Sequence, residues 1–228
     1  MLVHVLGRSR SLRNTILRKP EITFAASAGS AAQFPRDGLP EVAFLGRSNV
    51  GKSSLLNALA GTRNLAHVSS TPGRTRTVNF FRVGNELYLS DLPGYGYAEV
   101  SRETREGFER LVTSYLIGRA PLALCVFLVD ARHDPMEGDR MLHAFLREQG
   151  LPYVVAATKS DKLGRGALGQ RVRMLAKGVA ADAAGLLAVS AETKLGVPEL
   201  WRVIRDAAAA RREELKHRRP APRPARAW

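Results

Sequence analysis

The eight residues Gly46-Arg47-Ser48-Asn49-Val50-Gly51-Lys52-Ser53 constrain this chain more than any other stretch. They read GxxxxGKS, the phosphate-binding P-loop pattern. Residues 41–45 before them form an apolar run of strand length. Residues 54–59 after them are helix-forming and apolar on one face. Strand, glycine-rich turn and helix, in that order, are the context the pattern needs. Glycine lets the backbone curl until successive N–H groups point at phosphate oxygens. The helix that begins there turns its positive dipole end toward the same anion. In such a loop Lys52 reaches the β- and γ-phosphates and the Ser53 hydroxyl ligates Mg²⁺. The alternative is a chance glycine-rich turn, and the rest of the chain opposes it by supplying matching parts in order.

Residues 21–27 read as an outer strand and residues 30–40 as a connecting loop with two prolines. The helix after the P-loop should end near Gly61. Residues 67–77 are rich in Ser, Thr, Gly and Pro and follow neither a helical nor a strand period. A mobile loop at this place suits a nucleotide-sensing switch, with Thr75 the candidate ligand for Mg²⁺ when a γ-phosphate is present. An ordinary surface loop is the other reading. Residues 78–83 and 86–90 flank Gly84-Asn85, a two-residue hairpin signal, so these strands should be antiparallel. The second runs into Asp91-Leu92-Pro93-Gly94. A carboxylate at a strand end beside phosphates can hold Mg²⁺ through water, and the Gly94 N–H can approach a γ-phosphate.

Residues 101–118 read as a helix; Arg102, Arg105 and Arg110 could face RNA, but Glu103, Glu106 and Glu109 alternate with them and favour a solvated, ion-paired face. Pro121 opens an apolar strand that ends at Asp130. Residues 136–149 are helical, with Met141, Leu142, Phe145 and Leu146 on one side. Pro152 opens a buried strand, residues 153–157, that delivers Thr158-Lys159-Ser160-Asp161. This is a [NT]KxD match. The Asp161 carboxylate can accept two hydrogen bonds from the N1 and N2 positions of guanine, which adenine lacks. The Lys159 stem can lie over the base. Residues 164–180 look helical. Residues 186–189 form the last buried strand, and the backbone N–H groups of Ser190 and Ala191 after it would meet guanine O6. A closing helix spans 197–216, with Leu200, Val203 and Ile204 as its apolar face.

Composition sets limits. One cysteine, Cys125, excludes an internal disulfide framework, and its apolar surroundings predict a buried, inert thiol. No stretch approaches the roughly 18 to 20 apolar residues of a membrane span. The N-terminal apolar segment is too short for a secretory signal. A reduced, cytoplasmic setting is the expectation. The net charge is +14, and the ends carry +10 of it: residues 1–20 hold five basic and no acidic side chains, residues 211–228 seven basic and two acidic. Such ends suit an acidic partner, whether RNA, DNA or an anionic membrane surface; a solubilising tail or an organelle transit peptide are the alternatives.

The ordered set GRSNVGKS, TPGRTRT, DLPG, TKSD and VSA is the signature of a Ras-like GTPase. With FAASAGS, FPRDGLPEVAFLGRSNVGKSSLLNAL, SSTPGRTRTVNFF and LSDLPGYGYA, the chain closely resembles the EngB family of bacterial GTPases over about residues 20–210. The resemblance implies an α/β P-loop NTPase G domain of the TRAFAC class: a mixed, mostly parallel sheet of six or seven strands flanked by helices, with one antiparallel edge hairpin. A basic extension, residues 1–19, and a Pro/Arg-rich tail, residues 211–228, would flank it. The resemblance further implies GTP and GDP as ligands and Mg²⁺ held by Ser53 and Thr75. Family nucleotide contacts fall on Gly46 through Ser53; on Gly73, Arg74, Thr75, Arg76 and Thr77; on Asp91, Leu92, Pro93 and Gly94; on Thr158, Lys159, Ser160 and Asp161; and on Val189, Ser190 and Ala191. Lys52, Thr75 and Gly94 would serve hydrolysis.

The same resemblance implies a role in assembly of the large ribosomal subunit, with ribosomal RNA as a partner, and a requirement for cell division and septation; a monomer is the expectation. A GTP-binding division or assembly factor that does not act on ribosomes is the alternative, and an ATPase is opposed by Asp161. The residue after DLPG is Tyr95, whose ring lacks the amide that orients water, so intrinsic hydrolysis should be slow. Asn49 stands where related GTPases hold K⁺; a loop-shaping role is the other reading.

Overall fold

The computed structural model describes residues 21–62, 65, 77–95 and 110–217. Strand β1 spans Ile22–Ala28, β2 Glu41–Gly46, β3 Val78–Val83, β4 Leu87–Asp91, β5 Leu122–Asp130, β6 Tyr153–Thr158 and β7 Leu186–Ala188. Helix α1 spans Lys52–Ala60, and the helical residues 110–116 are called α2. Helix α3 spans Glu137–Glu148, α4 Arg165–Lys177 and α5 Val197–His217.

The seven strands make one sheet in the order β1-β3-β4-β2-β5-β6-β7. β1 pairs with β3, and β3 with β4, antiparallel. From β4 through β2, β5 and β6 to β7 every pairing is parallel. This is the expected mixed sheet with an antiparallel edge. Parallel strands covered by helices on both faces must be apolar on both faces. β2, β5 and β6 are buried almost throughout for that reason.

Alternate side chains of a strand point to opposite faces, which splits the core in two. Ala43, Leu45, Cys125, Phe127 and Val155 face Tyr115 of α2, Leu146 of α3 and Leu175 of α4. Val42, Phe44, Val126, Leu128 and Val154 face Leu55, Leu56 and Leu59 of α1 and Leu200 and Ile204 of α5. Each fully buried large aliphatic side chain contributes about 1.5–3 kcal/mol. Cys125 is buried as expected, and burial pushes its thiol up to about 12. Gly61 ends α1 in a left-handed conformation, φ 62°, and its N–H returns to the Ala58 and Asn57 carbonyls.

Several local expectations are corrected. Val83 pairs with Leu87, so the β3–β4 connection has three residues, Gly84, Asn85 and Glu86, not two. Gly84 takes φ 46°, and Arg82 braces the turn through the Gly84 carbonyl at 2.9 Å and Asn85 Oδ1 at 3.0 Å. Met141 is 67% exposed. Leu142, Phe145 and Leu146 take the inner face of α3, and Met141 lies about 100° round the helix from Leu142. Gly178 stops α4 at Lys177, short of residue 180. β7 has three half-buried residues because it is the sheet edge and pairs only with β6. The closing helix ends at His217, one residue past the expected 216, so Arg211 and Arg212, counted with the tail in the domain bounds, are helical. Arg211 Nε donates to the Leu122 carbonyl at 2.9 Å.

At the end of the sheet remote from the P-loop, Glu41 is 1% exposed and pairs with Arg119. The Tyr115 hydroxyl donates to Glu41 Oε2 at 2.8 Å and lies 2.9 Å from Ser90 Oγ. Burial raises the Glu41 carboxyl despite Arg119 and Tyr115. A buried carboxylate tolerates this only while its hydrogen bonds are made. Tyr115→Phe should therefore destabilise the fold by about 1–3 kcal/mol in urea unfolding. Ser90→Ala should add little once that hydroxyl is gone, because both changes disrupt the same contact.

Candidate functional site

β2 is the point at which the chain changes direction across the sheet. Its successors β3 and β4 lie on one side, and β5, β6 and β7 on the other. Open α/β sheets bind ligands at the carboxyl ends of strands beside such a switch point. The P-loop leaves β2 there, and the ends of β4, β5 and β6 bring Asp91, Asp130 and Thr158 around it.

The loop is shaped by two left-handed residues, Asn49 at φ 62° and Gly51 at φ 106°. Gly46 has no room for a Cβ, which would fall 2.9 Å from Val50 Cγ1 and 3.1 Å from the Leu128 carbonyl oxygen. Gly51 caps α1 without a side chain, so the first turn of the helix has no side-chain cap. Its N–H donors are those a helix must satisfy from outside. Two N–H groups of the loop are spent within the protein. Val50 N–H donates to the Arg47 carbonyl at 3.2 Å, and Ser48 N–H to the Tyr95 carbonyl at 3.0 Å. Ser53 is exposed on the first turn, and Lys52 Nζ pairs with the buried Asp91 carboxylate.

Asp91-Leu92-Pro93-Gly94 divides its roles. The Leu92 side chain is fully buried in the core, and Pro93 is buried. A Cβ on Gly94 would sit 3.2 Å from both Ser48 N and Ser48 Oγ, so glycine lets this segment touch the P-loop. Tyr95 then turns its ring toward α3. Its hydroxyl donates to Asp139 Oδ1 at 2.7 Å, and the ring packs on Gly138, where a Cβ would come within 3.0 Å. Burial, then Asp139, pushes the phenol well above its ordinary value. Asp139 also accepts the Met136 N–H at 2.8 Å, so one carboxylate caps α3 and holds Tyr95.

The Thr158 hydroxyl donates to the Val50 carbonyl at 2.7 Å and lies 3.1 Å from the Val129 carbonyl. Lys159, left-handed at φ 57°, places Nζ 2.8 Å from the Asn49 carbonyl and 2.9 Å from Asp130 Oδ2. Arg132 grips Asp130 with two bonds of 2.9 Å. The Ser190 hydroxyl donates to Asp161 Oδ1 at 2.7 Å, and Lys162 lies 3.2 Å from Asp161 Oδ2. These two hold the Asp161 carboxyl below the usual carboxylate range, Ser190 first. Ser160 and Val189 are buried supports, joined by Ser160 N–H to the Val189 carbonyl at 3.2 Å. Ser190 N–H is taken by the Leu195 carbonyl at 2.9 Å, a correction to the expectation for that group; the Ala191 N–H remains.

Thr77 is tied to the β1–β3 edge, its hydroxyl 2.7 Å from Ser27 Oγ. Gly73, Arg74, Thr75 and Arg76 lie outside the described residues. Among the described residues no group of three His, Cys, Asp or Glu side chains could hold a metal, and no helix is long and apolar enough to cross a membrane. The sequence reading missed Asp130, Asp139 and the Ser190 hydroxyl. The signal for Asp130 was present: like Asp91, it is a carboxylate that ends a buried strand on the P-loop side.

This fold and site define a P-loop nucleoside-triphosphatase domain of the G-domain type. A family model described as "50S ribosome-binding GTPase" matches residues 41–159. A probable GTP-binding protein EngB of Leuconostoc citreum is 45% identical over 182 residues, 79% of this chain and 94% of that protein. Its counterpart in Pelotomaculum thermopropionicum is 47% identical over 182 residues, 79% and 92% of the two chains. A crystal structure described as a probable GTP-binding protein EngB matches with TM-score 0.64 at 24% identity, covering 75% of this chain and 99% of that one. The chain belongs to the EngB family of GTPases, within the Ras-like TRAFAC class.

Burial opposes ionisation of Asp130, but Arg132 and then Lys159 outweigh it and hold the carboxyl well below its ordinary value. A depressed carboxyl contributes stability above its unfolded value, about 3.9, and loses it as pH falls through that value and below. The wild type should lose urea resistance on acidification below about pH 4, and Asp130→Asn should lose less over that window. Urea midpoints measured against pH for both proteins check this.

Proposed function

We propose that this GTPase is a guanine-nucleotide switch that docks on ribosomal RNA during assembly of the large ribosomal subunit, and that cell division and septation depend on that assembly. The observation that carries the nucleotide part is the meeting of two strand ends at one loop, Lys52 with Asp91 and Thr158 and Lys159 with the P-loop carbonyls, beside Asp161 fixed by Ser190. The uncapped first turn of α1 takes the phosphates, with Gly46, Arg47, Ser48, Asn49, Val50 and Gly51 as the cradle. Lys52 neutralises the charge that develops on the β- and γ-phosphates. Asp161 reads the guanine edge, and the Ala191 N–H meets O6. The large-subunit reading is supported by the family description, "50S ribosome-binding GTPase", and by the +14 net charge.

Mg²⁺ fits the donors present, which are hard oxygens: the Ser53 hydroxyl, with the Asp91 carboxylate behind it through water. Thr75 is the proposed further ligand. When bound, the ion supplies charge neutralisation between the phosphates. Tyr95 is committed to Asp139, so it does not orient a water, and intrinsic hydrolysis is slow. The Asn49 side chain is exposed while its carbonyl is held by Lys159, which leaves the amide for K⁺. Equal hydrolysis in Na⁺ and K⁺ buffers, with and without ribosomes, would remove the K⁺ reading.

Nucleotide titration tests the pocket. Wild type should bind GTP and GDP far better than ATP or xanthosine nucleotides. Asp161→Asn should lose guanine affinity by at least about 100-fold and move toward xanthine. Equal binding of ATP would end the guanine assignment. Cosedimentation with large-subunit particles should fall steeply with salt. Absence of cosedimentation in low salt would favour the factor that works away from ribosomes.

A further inference from the structure

Helix α4 differs in charge from the other long surface helices. α3 and α5 mix acidic with basic side chains, whereas α4 carries Arg165, Arg171, Arg173 and Lys177 and no carboxylate. The acid-free stretch continues to Ala181. Arg171 is spent internally, on Asp134 and on the Arg132 carbonyl at 3.2 Å. Arg165, Arg173 and Lys177 are exposed and have no ion-pair partner among the described residues. The carboxylates bordering the helix are already paired, Asp134 with Arg171 and Asp182 with Arg147 at 2.6 Å.

Position adds to charge. Residues 165, 169, 173 and 177 follow each other at four-residue steps, so they form one stripe about 18 Å long. Its second position is Gly169, where a Cβ would meet only the Arg173 guanidinium at 3.7 Å. A larger residue fits there, and glycine inside a helix is unfavourable. Nothing among the described residues requires it. A bare backbone between three free cations suits a partner that comes close.

We propose that this outer face of α4 docks RNA, with Arg165, Arg173 and Lys177 on phosphates and Gly169 at the point of closest approach. The proposal rests on the reading that the protein works on ribosomal RNA, and it names the face that meets it. A polyanion matches the unpaired charge, since duplex phosphates present one charge per about 1.7 Å of axis. A membrane surface fits less well, because a helix bound there needs a free apolar face. Most of the apolar face of α4 is already covered: Leu175 is 2% exposed in the core and Leu168 packs beside it, which leaves only Met174, 53% exposed, too little apolar surface for a membrane.

The test compares the full chain with the triple variant Arg165→Gln, Arg173→Gln, Lys177→Gln. A control triple, Arg36→Gln, Arg140→Gln, Arg202→Gln, removes the same charge from other exposed positions. Probes are a fluorescent 20-base-pair RNA duplex, purified large-subunit particles and phosphatidylglycerol vesicles; GDP affinity reports folding. The α4 triple should lose more than about tenfold in duplex affinity at low salt. Its log K against log salt slope should flatten by about 2–3, the value for three phosphate contacts. The control should stay within about twofold.

Equal RNA binding by the two triples overturns the proposal, as does a loss confined to vesicles. Particle binding that survives the α4 triple overturns it while leaving the ribosomal reading standing. Loss on the duplex, with no particle binding by the wild type, supports the face and removes the ribosomal reading.

Discussion

The Thr158 hydroxyl, donated to the Val50 carbonyl, ties the end of β6 to the loop that follows β2. The P-loop needs such a tie. It turns through two left-handed residues and opens a helix without a side-chain cap, so its shape is set from outside. Lys159 supplies the second anchor through the Asn49 carbonyl and is itself held by Asp130. Two parallel strands, β5 and β6, thus end in groups that fix the loop after β2. The parallel register between β2, β5 and β6 is what brings those ends level.

The same economy appears on the other side of β2. β4 ends in Asp91, which takes Lys52, and Gly94 and the Tyr95 carbonyl then pack on Ser48. Tyr95 links this segment to α3 through Asp139, which also caps that helix. A shift of Tyr95 is therefore felt at the start of α3. The P-loop stands between a side tied to the TKSD segment and a side tied to the DLPG segment.

Most of the fold was legible because it rests on local rules. Apolar runs bounded by prolines gave β5 and β6, and Gly61 marks the end of α1. Where the reading failed, distant contacts decided. The β3–β4 turn gained a residue because strand pairing set its register. Met141 left the core because the sheet accepts a narrower stripe of α3 than the apolar residues suggest. Ser190 was expected to act by its N–H and acts by its hydroxyl, since Leu195 claims the N–H.

By itself the sequence determined the motifs, a glycine-rich loop and the carboxylates of DLPG and TKSD, and the order of strands and helices that carries them. These are properties of residue type and spacing along the chain. Tertiary structure alone decided the partners. It assigned Asp130 to Lys159, Tyr95 to Asp139 and Glu41 to Arg119, and among the described residues it left three cations of α4 unpaired. The reason is physical: burial makes a charge seek a partner, and which partner is near depends on strand order, which no short stretch encodes.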